Sequence, residues 1–177
     1  MSPFRFAVLE CDTPLPAVLE KEGDYGTIFE AFIRRGLESY IANGGEKKVD
    51  LEVIKSNMVD MGELPELDKI DALILTGSRH NAFDDNEWIV RLVDYVRNIY
   101  QTTQIPIVGI CFGHQIIAQN LGDSPVCSIQ GMLIPGRVLS VQGHPEFSQF
   151  IMNTILEARH GQKIFSDELY ESGVQRA

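Results

Sequence analysis

Short apolar runs alternate along the chain with longer stretches whose apolar residues return at helical spacing. That is the pattern of a parallel sheet with helices packed on its faces. Residues 4–9 read as a first strand, followed by a polar, Pro-containing loop over 10–24. Residues 27–42 are helical, with Ile28, Phe32, Leu37 and Ile41 about a turn apart, and Asn43-Gly44-Gly45 stops them. Residues 49–54 alternate as a second strand, and 71–75 supply a buried third that runs into Thr76-Gly77-Ser78. Ile89, Leu92, Val93, Val96 and Ile99 predict a helix over 88–99.

Residues 105–110 are apolar on both faces, as a central parallel strand must be. They turn at once into a helix that starts at Gly113 and closes near Gly122. A further strand is expected at 138–141 and a last helix at 149–160, with a polar tail over 166–177 expected to fray. No repeat, low-complexity tract or linker divides the chain. Residues 1–177 therefore read as a single α/β domain with an open, mostly parallel sheet flanked by helices.

Composition narrows the partners. Fifteen basic against 25 acidic residues leave a net charge of -10, and such a surface repels phosphate backbones and anionic lipid. Neither nucleic acid nor a membrane is an expected partner. The apolar stretches are far too short to span a bilayer, and the N-terminal residues carry no signal-like apolar region, so a cytoplasmic location is expected. Three cysteines without a CxxC pair, and four scattered histidines, give no expectation of a metal site or a disulfide framework.

The chemistry concentrates in Gly109-Ile110-Cys111-Phe112-Gly113-His114-Gln115. A small nucleophile between glycines, at the junction of a buried strand and a helix, is the nucleophile-elbow arrangement. The helix N-terminus also favours a thiolate over a thiol. Cys11 and Cys127 lack that setting and read as inert thiols. A thiol nucleophile needs a base. His114 lies on the elbow helix, where its direction does not suit proton transfer; His80 is in a polar loop and His160 ends the last helix. His144, in Gln142-Gly143-His144-Pro145-Glu146, follows a strand at the sheet edge where open α/β folds place their sites. Glu146 is positioned to hold its imidazole in one tautomer. For a developing oxyanion, the N–H of Phe112 is one natural donor. Gly77, at the end of the third strand, could offer a second N–H, although a glycine there also serves simply to make a turn.

Together, Gly-Ile-Cys-Phe-Gly-His-Gln and Gln-Gly-His-Pro-Glu-Phe resemble the class I glutamine amidotransferase family, whose glutaminase domains carry a Cys-His-Glu triad. The stretch Thr76-Gly77-Ser78-Arg79-His80-Asn81-Ala82-Phe83-Asp84-Asp85, with Trp88 beyond it, resembles the stand-alone, GMP-synthase-like fungal and plant branch. The resemblance runs from the first strand through Gly122 and resumes from Gly136 to about His160. It implies a flavodoxin-like three-layer sandwich and a cofactor-free hydrolase. By resemblance Cys111 attacks the γ-carboxamide of glutamine or of a γ-glutamyl compound, His144 shuttles the proton, Glu146 orients it, and Gln115 helps hold the glutamyl moiety. Ammonia release further implies a synthetase partner acting in trans; release of a peptide needs none.

One feature departs from the family. Only 32 residues separate Cys111 from His144, where family members place several more strands and a substrate-binding segment. Residues 123–135 are a shortened connection. Thirteen residues still reach roughly 40 Å when extended, enough to return across a sheet. The short connection opens a second expectation, a catalytically impaired relative acting as a binding or regulatory module. A redox or chaperone-like protein of related elbow-cysteine folds ranks last, since it has no need of His-Pro-Glu at a strand end.

Overall fold

The computed structural model describes residues 2–45, 49–121 and 130–177. Its elements in chain order begin β1 (Phe4–Glu10), α1 (Pro16–Glu22), α2 (Tyr25–Ala42), β2 (Leu51–Asn57), β3 (Ala72–Leu75) and α3 (Glu87–Thr102). They continue with β4 (Ile107–Ile110), α4 (Phe112–Leu121), β5 (Gly131–Ile134), β6 (Val138–Val141), α5 (Gln149–Gly161) and α6 (Asp167–Val174).

The most apolar runs take the middle of the sheet because helices cover both of its faces there. The strand order is β2-β1-β3-β4-β6-β5, and every pairing is parallel except β5 on β6. Alternation along β1 sorts its side chains between two cores. Ala7 and Leu9 pack with Leu73, Leu75 and Ile107 against Ile89, Leu92 and Val96 of α3 and Ile116 of α4. Phe6 and Val8 pack with Ile74 and Ile110 against Phe29 of α2. Beside α2, Val18 of α1 and Ile151 of α5 close a third cluster on Ile28. This is the expected three-layer, flavodoxin-like α/β architecture. No helix among the described residues is long and apolar enough to cross a membrane.

Four local expectations need correction. The loop read over 10–24 contains α1, whose Pro16 occupies the first turn, where the missing N–H costs nothing and the fixed φ suits the helix. The second strand starts at Leu51 and runs on to Asn57; it lies at the sheet edge, which tolerates Lys55-Ser56-Asn57. Within the short connection, β5 pairs antiparallel to β6 with Leu133 opposite Leu139. The tail expected to fray forms α6 instead. Ser166 caps it by accepting the Leu169 N–H at 3.3 Å, and Asp167 and Glu168 complement the helix dipole. His160 ties α6 to α5, stacking on Tyr170 with ring centroids 4.4 Å apart. Gly122, the predicted end of the elbow helix, and Cys127 lie outside the described residues.

The topology directs attention to one edge. β1 sits between β2 and β3, so the chain leaves β1 towards one side and later returns on the other. The crevice outside the carboxyl ends of the strands at such a switch is where open α/β sheets bind ligands. Residues 11–13, 76–79, 111 and 142–146 all follow strands at that edge.

Candidate active site

Cys111 stands between β4 and α4 with φ at 52°, the left-handed region that costs an L residue about 1–2 kcal/mol. Two backbone hydrogen bonds hold it there. Its N–H donates to the Val141 carbonyl at 2.9 Å, and its carbonyl accepts from the Gln115 N–H at 3.1 Å. The flanking glycines are required by contact. A Cβ on Gly113 would stand 2.5 Å from the Leu75 carbonyl oxygen, and one on Gly109 would stand 2.6 Å from the carbonyl oxygen of Gly113. Gly113 also donates its N–H to the Thr76 carbonyl at 3.2 Å, pinning the elbow to the end of β3. Gly113→Ala is therefore expected to cost about 2 kcal/mol, a fall of roughly 4–8 °C in Tm, read by thermal melting. An unchanged Tm would mean that α4 can move off β3 freely.

His144 follows β6 and is held on three sides. Its Nδ1 lies 2.8 Å from Oε1 of Glu146, whose side chain is buried. Phe147 stacks on the ring with centroids 4.2 Å apart and planes 13° from parallel. On the third side stands Gly77, where a Cβ would come within 2.5 Å of the His144 Cε1. Cys111 is close enough to act on the imidazole electrostatically, and with Nδ1 turned to Glu146 it is Nε2 that is left to face the thiol. Burial alone would push this imidazole down. The interactions with Cys111 and with the Glu146 carboxylate override it, and the pKa is raised to about 9.

The structure thus brings Cys111, His144, Glu146 and Gly77 together. Phe112 is the first residue of α4, where backbone N–H groups have no acceptor within the helix; its side chain is buried against Trp88, centroids 5.5 Å apart. Gln115 does not bond the thiol itself. Its Nε2 donates to Oε1 of Gln142 at 3.2 Å, and Nε2 of Gln142 donates to the Cys111 Sγ at 3.3 Å. Sequence reasoning passed over Gln142, although it immediately follows β6 beside His144. It passed over Asp12 as well. That buried carboxylate follows β1 and takes the Arg79 N–H at 2.8 Å and its guanidinium at 2.9 Å.

The other candidates lie apart. His114 is buried with Nδ1 2.9 Å from the Ser140 hydroxyl. His80 meets Trp88 edge-on. Burial pushes the Cys11 thiol up to about 12, which leaves it protonated and unreactive. Among the described residues, no three His, Cys, Asp or Glu side chains gather in a way that could hold a metal ion.

Comparison with known proteins agrees with this arrangement of elements. A glutamine amidotransferase from Thermotoga maritima has the same fold, with a TM-score of 0.64 at 15% identity over 99% of this chain and 92% of that one. A glutamine amidotransferase-like protein of Schizosaccharomyces pombe is 26% identical over 228 positions, covering 98% of this chain and 92% of its own. Against a chain of 177 residues, at least 51 of those positions stand opposite no residue here. Gamma-glutamyl peptidase 4 of Arabidopsis thaliana is 28% identical over 82% of this chain, which spans 49% of that relative's length. The family profile described as glutamine amidotransferase class-I matches residues 34–133, more than half of the sequence. The chain belongs to the class I glutamine amidotransferase family.

Proposed function

We propose that this protein hydrolyses the γ-glutamyl amide of glutamine or of a γ-glutamyl compound through a thioester on Cys111. One observation carries the reading: a thiol on a strained elbow beside an imidazole whose Nδ1 is held by a buried carboxylate. His144 takes the thiol proton as the Cys111 Sγ adds to the amide carbon, and the N–H of Phe112, with that of Gly77, stabilises the oxyanion. Collapse breaks the carbon–nitrogen bond while His144 passes its proton to the departing nitrogen. Water, deprotonated by His144, then attacks the thioester, releasing glutamate and returning the thiol. Glu146 fixes the tautomer and stabilises the imidazolium, and Gln142 steadies the sulfur in the resting site.

A diazo-ketone analogue of glutamine tests the reading directly. Intact-mass analysis is expected to find one equivalent on Cys111, blocked by excess glutamine. A folded protein that takes up no label, and shows no glutamate release, would instead favour a binding or regulatory relative. The at least 51 alignment positions without a counterpart here are the observation on that side.

The raised pKa of His144 gives a second check. Its imidazolium donates the proton to the departing nitrogen, so kcat/KM, which reports the free enzyme and the acylation step, is expected to fall as pH rises through about 9. Because the folded pKa exceeds the ordinary 6.5, the associated stability is fully present below pH 6.5 and lost as pH climbs through about 9. Glu146→Gln removes one of the interactions that raise it, so the alkaline limb of the rate profile should move to lower pH. An unmoved limb would show that Glu146 does not act through His144.

A further inference from the structure

We infer that the cleft beside His144 seats the leaving half of the substrate, and that Arg159 selects leaving amines bearing a free carboxylate. This rests on the hydrolase reading above and names its substrate class: γ-glutamyl amino acids or peptides with an apolar residue after the γ-glutamyl group, in preference to glutamine.

The cleft has a volume of about 590 Å³ and opens at the switch between β1 and β3. Asp12 and Thr13 line it after β1, and Gly77, Ser78 and Arg79 after β3. From His144 it extends along one side of α5 to Arg159 and Gln162. In the proposed reaction the leaving nitrogen must face the imidazole that protonates it. Whatever that nitrogen carries then extends past His144, away from the attacking sulfur. Ammonia carries nothing and would leave the cleft empty.

The lining specifies the occupant. Leu15, Phe147, Met152 and Ile155 form an apolar wall, and three of them pack onto the buried cluster of Val18, Ile28 and Ile151, which keeps the wall in shape. Tyr25 stays a neutral phenol, since burial pushes its pKa up to about 12. An apolar side chain gains from contact with such a surface. Two cations reach the cleft, and they differ. Arg79 is committed to the buried Asp12. Arg159 is exposed and its side chain makes no hydrogen bond or ion pair among the described residues. The dipole favours a cation in the last turn of α5 in any case; what sets Arg159 apart is its place at the end of an apolar cleft that begins at the proton donor. A free guanidinium there, in a chain of net charge -10, matches a carboxylate on the leaving half of the substrate.

Binding to Cys111→Ala protein, which cannot turn substrate over, separates this inference from the reaction. By calorimetry γ-glutamylphenylalanine is expected to bind about fivefold more tightly than its C-terminal amide. Adding Arg159→Gln should bring the two affinities together, while a matching melting curve shows that the fold is kept. Wild-type protein should hydrolyse γ-glutamylphenylalanine with a higher kcat/KM than glutamine. Equal binding of acid and amide, or a preference that survives Arg159→Gln, would overturn the assignment of Arg159 even if the peptide is hydrolysed. A preference that depends on Arg159, in a protein that hydrolyses no γ-glutamyl compound, would overturn the hydrolase reading and keep the ligand class of the cleft.

Discussion

Cys111→Ala is expected to lower γ-glutamyl hydrolysis by about 10⁴-fold or more, to the background level, and to abolish labelling by the diazo-ketone. The substitution removes one sulfur at a half-buried position and leaves the backbone as strained as before, because alanine tolerates φ near 52° no better than cysteine does. Folding should therefore survive. Cys111→Gly makes the complementary measurement. Glycine relieves the left-handed strain, so this variant should melt higher than Cys111→Ala, by about 1 kcal/mol, while being equally inactive. Strain held at a position where only the cysteine form is active is the signature of a functional constraint. If Cys111→Ala kept its activity, the elbow would be an architectural turn and the nucleophile would lie elsewhere.

What the sequence made legible follows from how strongly each element is determined. β3 and β4 bury nearly every side chain, so their apolar runs announce them. The elbow is legible because three backbones approach too closely for side chains: Gly109 and Gly113 leave no alternative residue, and a short motif records that. The elements that escaped are those whose signal is small. α1 buries only Val18 and opens with a proline that also marks loops. β5 is four residues long and pairs on one side only. α6 buries no residue and depends on its Ser166 cap and on a contact from His160 that no local pattern encodes.

The site divides in the same way. Cys111 and His144 could be placed at one sheet edge because each follows a parallel strand, and strand ends define that edge. The direction of a loop side chain has no such rule. The Gln142 contact with sulfur, the seating of Asp12 under Arg79 and the approach of Gly77 to the imidazole depend on how three separate loops pack together. The cleft was invisible for a further reason: its apolar wall joins Leu15, just before α1, to Phe147, just before α5, and to Met152 and Ile155 within α5, and no local pattern brings those two stretches together.

Gly77 is the position where this matters most. Gly77→Ala is expected to reduce kcat/KM by about 100-fold and, like Gly113→Ala, to cost about 2 kcal/mol of stability. Its φ lies outside the left-handed region, so the backbone accepts alanine without strain. The added methyl group would lie 2.5 Å from Cε1 of His144, and the ring has little freedom to yield. Phe147 stacks on it, and Glu146 holds Nδ1 at 2.8 Å. Moving the imidazole stretches its contact with Cys111 or with Glu146, and a displacement near 1 Å suffices for a loss of this size. The N–H of residue 77 persists in alanine, which separates two roles. If the ring has moved, the alkaline limb near pH 9 should shift down along with the rate, because the interactions that raise its pKa are weakened. Rate lost with the limb unmoved would assign the damage to the oxyanion donor instead. Full activity in Gly77→Ala would mean that the turn after β3 stands clear of the reacting atoms, and Phe112 would be left as the backbone donor.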